Sequence, residues 1–222
     1  MNLIPVVTPQ FIKRLFPNLV WELPNNGKVI YLTFDDGPTP EITEWTLKTL
    51  EQYNAKATFF CIGKNVEAHP DIFSNIIDAG HSIGNHTYNH LKGWKTKTKD
   101  YLSNIMQTQV AFDRQFKNEQ FQISDSKFIN LFRPPYGQLR PKQIKQLSKL
   151  GYKIIMWNVL SIDWMQSISK ETCLQNVINN AGSGDIIIFH DSIKASKNMQ
   201  YALPRVLEYF TNKGYEFKRI PE

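Results

Sequence analysis

Three histidines, His81, His86 and His90, fall within ten residues of one another, and two adjacent aspartates, Asp35-Asp36, close an apolar run. His86 and His90 form a His-x-x-x-His pair. On a helical turn that spacing puts both imidazoles on one side, where they can share a metal ion with a carboxylate. Two histidines and one carboxylate leave coordination positions open for water and substrate, as a catalytic metal site needs and a structural one does not. Neighbouring carboxylates at a strand end point in different directions, so one can bind the ion while the other stays free as a base. The bland alternative for Asp35-Asp36 is a turn or capping role ahead of Gly37-Pro38. His81 directly follows Gly80 and reads as structural.

Such residues need a frame to gather them. Apolar runs without alternation predict buried strands at Lys28–Phe34, Ala57–Ile62, Ser82–Asn85, Phe128–Phe132, Lys153–Leu160, Asp185–Phe189 and Tyr215–Arg219. Helix-like segments separate them. One opens at Thr39-Pro40 and carries Ile42, Trp45 and Leu50. Others are Asp71–Ala79, stopped by Gly80; Lys99–Phe116, with Leu102, Ile105, Met106 and Phe112 as core candidates; Pro141–Leu150; Lys170–Asn180; and Leu203–Asn212. About seven β–α units favour a closed or nearly closed barrel, whose C-terminal strand ends meet at one mouth. The polar residues of interest all follow strands: Asp35 and Asp36, His86 and His90, Arg133 and Tyr136, Asp163 and Trp164, His190 and Asp191.

The chain has 222 residues, 41% hydrophobic and 21% charged, which suits one globular domain. Residues 1–27 read as a lead-in packing on the barrel, with a brief helix after Thr8-Pro9 that puts Ile12, Leu15 and Phe16 on one face; residues 28–222 read as the catalytic domain. No apolar run approaches the ~20 residues of a membrane span. Met1-Asn2-Leu3-Ile4-Pro5 lacks the basic and apolar regions of a secretory signal, so the expected location is cytoplasmic, with an extracytoplasmic one as the alternative. The net charge of +6 is spread along the chain without a nucleic-acid-binding motif, so no nucleic-acid partner is expected. Cys61 and Cys173 read as buried free thiols.

Five stretches in order resemble the motifs of the polysaccharide deacetylases, carbohydrate esterase family four: Thr33-Phe34-Asp35-Asp36-Gly37-Pro38, His86-Thr87-Tyr88-Asn89-His90, Arg133-Pro134-Pro135-Tyr136-Gly137, Asp163-Trp164 and Ile188-Phe189-His190-Asp191. The resemblance runs from about residue 28 to the C-terminus. It implies an α/β fold, a single-domain distorted (β/α) barrel with about seven parallel strands. It implies that Asp36, His86 and His90 bind a divalent ion, zinc first and cobalt second. Asp35 would be the general base, held by Arg133, and His190 the general acid, held by Asp163. The Tyr136 N–H would stabilise the oxyanion, and Trp164 and Ile188 would line the pocket for the acetyl methyl. The family's fourth motif often begins with an acidic residue where this chain has Leu160, which bears on substrate contacts more than on the reaction.

The implied activity is metal-dependent removal of acetyl groups from an acetylated glycan, N-acetylglucosamine units first, by a monomer. The rivals are a non-catalytic sugar-binding module on the same barrel, which normally lacks a ligand, base or acid, and a small-molecule amide hydrolase. Tyr88 and Trp94 can stack on a sugar or pack in the core. The lysines at 92, 95, 97, 99, 194 and 197 form either a basic rim or a solvated face.

Overall fold

A computed structural model describes residues 4–24, 27–118 and 130–221. Its centre is β1 (Val29–Asp35), buried at every position except Tyr31. A strand apolar on both faces must be covered on both, which a parallel sheet achieves by alternating with helices. The other strands are β2 (Thr58–Cys61), β3 (Ser82–Asn85), β4 (Leu131–Phe132), β5 (Lys153–Ile154), β6 (Val159–Leu160), β7 (Ile186–His190) and β8 (Glu216–Phe217). Seven of them run parallel in the order β5-β4-β3-β2-β1-β7-β6, and β8 pairs with the start of β1. This is the expected distorted (β/α) barrel.

The end strands β5 and β6 do not pair with each other. The N-terminal segment bridges them instead: Val20 pairs with Ile155 and Val7 with Val159. Leu19 and Trp21 from this segment join a buried cluster with Leu147, Ile154 and Met156. A barrel that fails to close by strand pairing thus has its seam covered from outside.

Helices α1 (Gln10–Leu15), α2 (Ile42–Gln52), α3 (Gly63–Ala68), α4 (Pro70–Asp78), α5 (Thr98–Asn118), α6 (Pro141–Lys149), α7 (Lys170–Ile178) and α8 (Ser196–Asn212) surround the sheet. Phe34 stacks on Phe59 at 5.0 Å and Phe73 on Phe112 at 5.1 Å, joining sheet and helices in one core. Among the described residues no helix is long and apolar enough to cross a membrane. Cys61 and Cys173 are buried and free.

Several elements depart from their expected form. The run Lys153–Leu160 is not one strand but β5 and β6 with a break between them. The Met156 N–H goes to the Val20 carbonyl, and the carbonyls of Ile155 and Met156 accept from Arg133, so these groups have left the strand ladder. Of the expected strand Phe128–Phe132, residues 128 and 129 lie outside the described residues. Helix α8 begins at Ser196 and carries Pro204 within it, because Met199, Ala202, Leu203 and Val206 bury one continuous face and outweigh the missing backbone bond. Helix α3 was hidden by its polar composition. Leu15 is exposed, while Lys13 turns inward to pair with Glu22. Met106 is exposed too, and the inner face of α5 carries the buried polar residues Asn104 and Thr108 beside Ile105 and Phe112.

If the N-terminal segment completes the core, Trp21→Ala should destabilise the protein by roughly 3–5 kcal/mol. Urea denaturation would measure this. A loss below about 1 kcal/mol would show that the segment merely rests on a barrel that is stable without it.

Candidate active site

Parallel strands deliver their last residues to the same mouth. β1 ends in Asp35, directly opposite His190 at the end of β7. β3 ends at Asn85 and leads into the loop holding His86 and His90, and β4 leads into Arg133. The left-handed backbone of Asp36 (φ 81) turns the chain just after Asp35, so the two carboxylates diverge. The next residue, Gly37, donates its N–H to Asp191 Oδ1 at 3.1 Å. A Cβ at this position would lie 2.1 Å from Asp191 Oδ2, so only glycine permits the approach. Asp191 also accepts from the Thr43 hydroxyl at 2.5 Å, and burial pushes its carboxyl up to about 8.

Asp36, His86 and His90 each turn one ligand atom inward, and these three atoms lie within 4.8 Å of one another. His90 Nε2 is 3.2 Å and His86 Nε2 3.7 Å from Asp36 Oδ1. That oxygen is buried and has no hydrogen-bond partner among the described residues, an arrangement that a cation would satisfy. His86 Nδ1 donates to the Arg133 carbonyl at 2.8 Å, which leaves the Nε2 lone pair facing the cluster. Burial lowers the basicity of His86 despite Asp35 and Asp36 nearby. Burial, with His86 alongside, brings His90 down to about 4. Both rings are therefore neutral near pH 7, the form that binds metal. The donor set fits a divalent ion.

Asp35 is buried under this cluster. Its Oδ1 accepts from Arg133 Nη1 at 2.8 Å, while Oδ2 lies 4.0 Å from His86 Nε2. Burial alone would raise the carboxyl, but Arg133 and then His86 and His190 outweigh it and hold it below the ordinary range. Arg133 itself has no exposed surface. It also donates to Thr33 Oγ1 at 2.6 Å and to the Ile155 and Met156 carbonyls, and its guanidinium lies 4.1 Å from the centre of the Phe60 ring.

Across the mouth, His190 Nδ1 meets Asp163 Oδ1 at 2.8 Å, and the His190 N–H donates to Asp163 Oδ2 at 2.7 Å. Burial disfavours the charged ring, but Asp163 overcomes this and raises His190 to about 9. The Trp164 ring stands edge-on to His190 at 4.9 Å. Ile188, Trp164 and Leu160 line the same cavity, and Leu160 is the register partner of Ile188 in the sheet. Apolar packing thus occupies the position where the resemblance implies an acidic side chain. Tyr136 is held at φ 59, with its ring 4.6 Å from that of His90. The cavity, about 600 Å³, is bounded by Asp35, Asp36, His86, His90, Tyr136 and His190 together with this apolar wall.

Of the site residues singled out from the sequence, Asp35, Asp36, His86, His90, Tyr136, Trp164, Ile188 and His190 line one cavity, Arg133 and Asp163 stand behind it, buried, and touch it through Asp35 and His190, and Asp191 is buried against Gly37 and Thr43. His81 stays apart: its Nδ1 accepts the Ala57 N–H at 3.1 Å, and it lines a separate surface pocket beside α2 and α4. Trp94 is exposed, with its Nε1–H on the Leu139 carbonyl, and does not pack in the core. Lys92 sits over the Tyr136 ring at 4.7 Å and Lys194 lines the cavity. Thr33, Asn85 and Asn104 also support the site. Thr33 lies in a motif stretch, whereas Asn104 comes from a helix with no signal of function in its sequence.

The polysaccharide deacetylase profile matches residues 22–155. The chain belongs to the polysaccharide deacetylase family. Over 214 residues it is 34% identical to a peptidoglycan-N-acetylglucosamine deacetylase of Bacillus cereus, spanning 95% of each chain. It is 31% identical to the peptidoglycan-N-acetylmuramic acid deacetylase PdaC of Bacillus subtilis over 89% of its own length and 39% of that protein's. A crystal structure of a peptidoglycan N-acetylglucosamine deacetylase, in complex with 4-naphthalen-1-yl-N-oxidanyl-benzamide, matches with a TM-score of 0.84 at 31% identity, over 96% of this chain and 95% of that one. Membership of the family makes the protein a hydrolase, a carbohydrate deacetylase.

The His190–Asp163 pair has a definite pH signature. A histidine raised from 6.5 to about 9 on folding contributes stability that is complete below its unfolded value and fades as pH rises through about 9. In metal-free protein, the gap in melting temperature between wild type and Asp163→Asn should be wide near pH 6 and narrow near pH 10. An equal gap at both would mean that the pair is not charged in the fold.

Proposed function

We propose that this enzyme removes N-acetyl groups from N-acetylglucosamine units of a peptidoglycan-type glycan, with a divalent cation held by Asp36, His86 and His90. The observation that carries the proposal is the convergence of these three side chains between an ionised carboxylate, Asp35, and a protonated imidazole, His190. Imidazole and carboxylate donors suit zinc. The glycan is read from the relatives named for peptidoglycan sugars. Peptidoglycan lies outside the cytoplasm, which favours the extracytoplasmic location over the cytoplasmic one.

The bound cation would supply Lewis acidity, acidifying water and polarising the acetyl carbonyl. Asp35 takes the proton of the attacking water on Oδ2, because Oδ1 is committed to Arg133. Its lowered basicity keeps it ionised and ready near neutral pH. As water adds to the carbonyl carbon, negative charge develops on the carbonyl oxygen, and the Tyr136 N–H donates to it. The C–N bond breaks only if the nitrogen gains a proton. His190 provides it from Nε2, since Nδ1 is engaged with Asp163. Acetic acid and the amine leave, the acid's proton passing to the amine in solution, and the proton held by Asp35 restores His190. Trp164 and Ile188 enclose the acetyl methyl and keep bulk water away from the carbonyl.

Acetate release from N-acetylglucosamine oligomers and peptidoglycan fragments, with zinc or cobalt added, tests the whole reading. Asp35→Asn should retain the metal and lose about 10²–10⁴-fold in turnover. Asp36→Asn and His86→Ala should lose the metal itself, measured by elemental analysis. The reverse pattern would exchange the roles of the two aspartates.

The acid half is tested separately. Asp163→Asn removes the interaction that raises His190, so the alkaline limb of the pH–rate profile should move to lower pH with metal content unchanged. An unmoved limb with full turnover would assign the acid to another group.

A further inference from the structure

The two histidines of the cluster are held in different ways. His86 is oriented through its own ring, by the hydrogen bond from Nδ1 to the Arg133 carbonyl. His90 has no hydrogen bond at Nδ1 among the described residues; the rings of His86 and Tyr136 lie beside its own, at 5.1 and 4.6 Å. Its position therefore depends on the backbone that carries it. That backbone is unusual: both Thr87 (φ 64) and His90 (φ 54) are left-handed, a conformation that persists in non-glycine residues only when the surroundings impose it.

One turn of α5 imposes it. Asn104 is buried, and its Oδ1 accepts the N–H groups of both Tyr88 (2.9 Å) and Asn89 (3.0 Å), the two residues just before His90. The acceptor is fixed by its two backbone donors, since the amide nitrogen could not take this place. The adjacent Ile105 carbonyl accepts from the Asn85 side-chain amide at 2.9 Å, and Asn85 Oδ1 in turn accepts the Thr87 N–H at 2.9 Å. Consecutive residues of α5 thus hold both ends of the segment 85–89. Thr87 Oγ1 then accepts the Leu91 N–H at 3.1 Å, closing the loop around His90.

Resting on the metal reading above, we infer that Asn104 is a positioning residue for His90: it sets the loop geometry that brings this histidine to the cation, the task that the Arg133 carbonyl performs for His86. Ligand-supporting hydrogen bonds of this kind typically carry about 10–100-fold in metal affinity. The effect should run through His90 and not through the cluster as a whole.

The test is zinc affinity by chelator competition, with melting of the metal-free protein as the control for folding. Asn104→Leu keeps the branched side-chain skeleton and deletes the acceptor; should it fail to fold, Asn104→Ala is measured in the same way. The variant should bind zinc about 10–100-fold more weakly. Its zinc-induced rise in melting temperature should shrink by more than its metal-free melting temperature falls. In a His90→Ala background the same substitution should cost almost nothing further, because the ligand it positions is gone. Wild-type affinity in Asn104→Leu would overturn the inference. So would an undiminished penalty in the His90→Ala background, which would make Asn104 a general support of the loop. Wild-type protein that fails to bind zinc would overturn the metal reading instead, a different result from tight binding by both proteins.

Discussion

Arg133 lies inside the barrel with no exposed surface, and the site is arranged around its charge. A guanidinium can be buried only if its donors are matched, because an unpaired interior charge costs several kcal/mol. Its partners come from three places: Asp35 and Thr33 on β1, the carbonyls of Ile155 and Met156, and the Phe60 face on β2. Each match has a consequence. The bond to Asp35 keeps one carboxylate ionised in a buried setting. The bonds to Ile155 and Met156 draw those carbonyls out of the sheet, so an apolar run long enough for one strand becomes two. The backbone carbonyl of Arg133 also orients His86. One residue therefore links the proposed base, through its side chain, to a proposed metal ligand, through its main chain.

The same residue type is driven to opposite protonation states within one cavity. Burial dominates at His86 and His90 and keeps them neutral, whereas at His190 the Asp163 carboxylate prevails over burial and keeps the ring charged. The difference is local: His190 has a carboxylate on its ring nitrogen, while the inner ring nitrogen of His86 meets a carbonyl. Separating basicities by environment is how one set of side chains can supply both ligands and an acid at neutral pH.

Backbone strain follows the same geography. Of seven non-glycine residues with positive φ among the described ones, five lie in or beside the motif segments: Asp36, Thr87, His90, Tyr136 and Ile162. Ile162 is β-branched, for which this conformation is especially costly. Such residues persist where neighbouring contacts over-determine them. Here the contacts are Asp191 against Gly37, Asn104 against the 88–89 backbone, and Ser161 and Asn198 around Asp163.

The sequence by itself determined the parallel α/β architecture, because strands apolar on both faces admit few other arrangements. It also determined which side chains share the mouth, because a parallel sheet sends every strand end to the same side. The spacing of His86 and His90, the paired aspartates and the ordered motifs were enough to name Asp35, Asp36, His86, His90, Tyr136 and His190 in the cavity, but not Trp157 or Ser192, which also line it. The tertiary structure decided what spacing cannot encode. The break at 155–158 depends on a guanidinium more than twenty residues away. The seam covered by residues 7–22 depends on two strands that never meet. The grip of Asn104 on the loop depends on which face of α5 turns inward, and a buried asparagine in a helix carries no mark in the sequence until the backbone N–H groups it satisfies are seen.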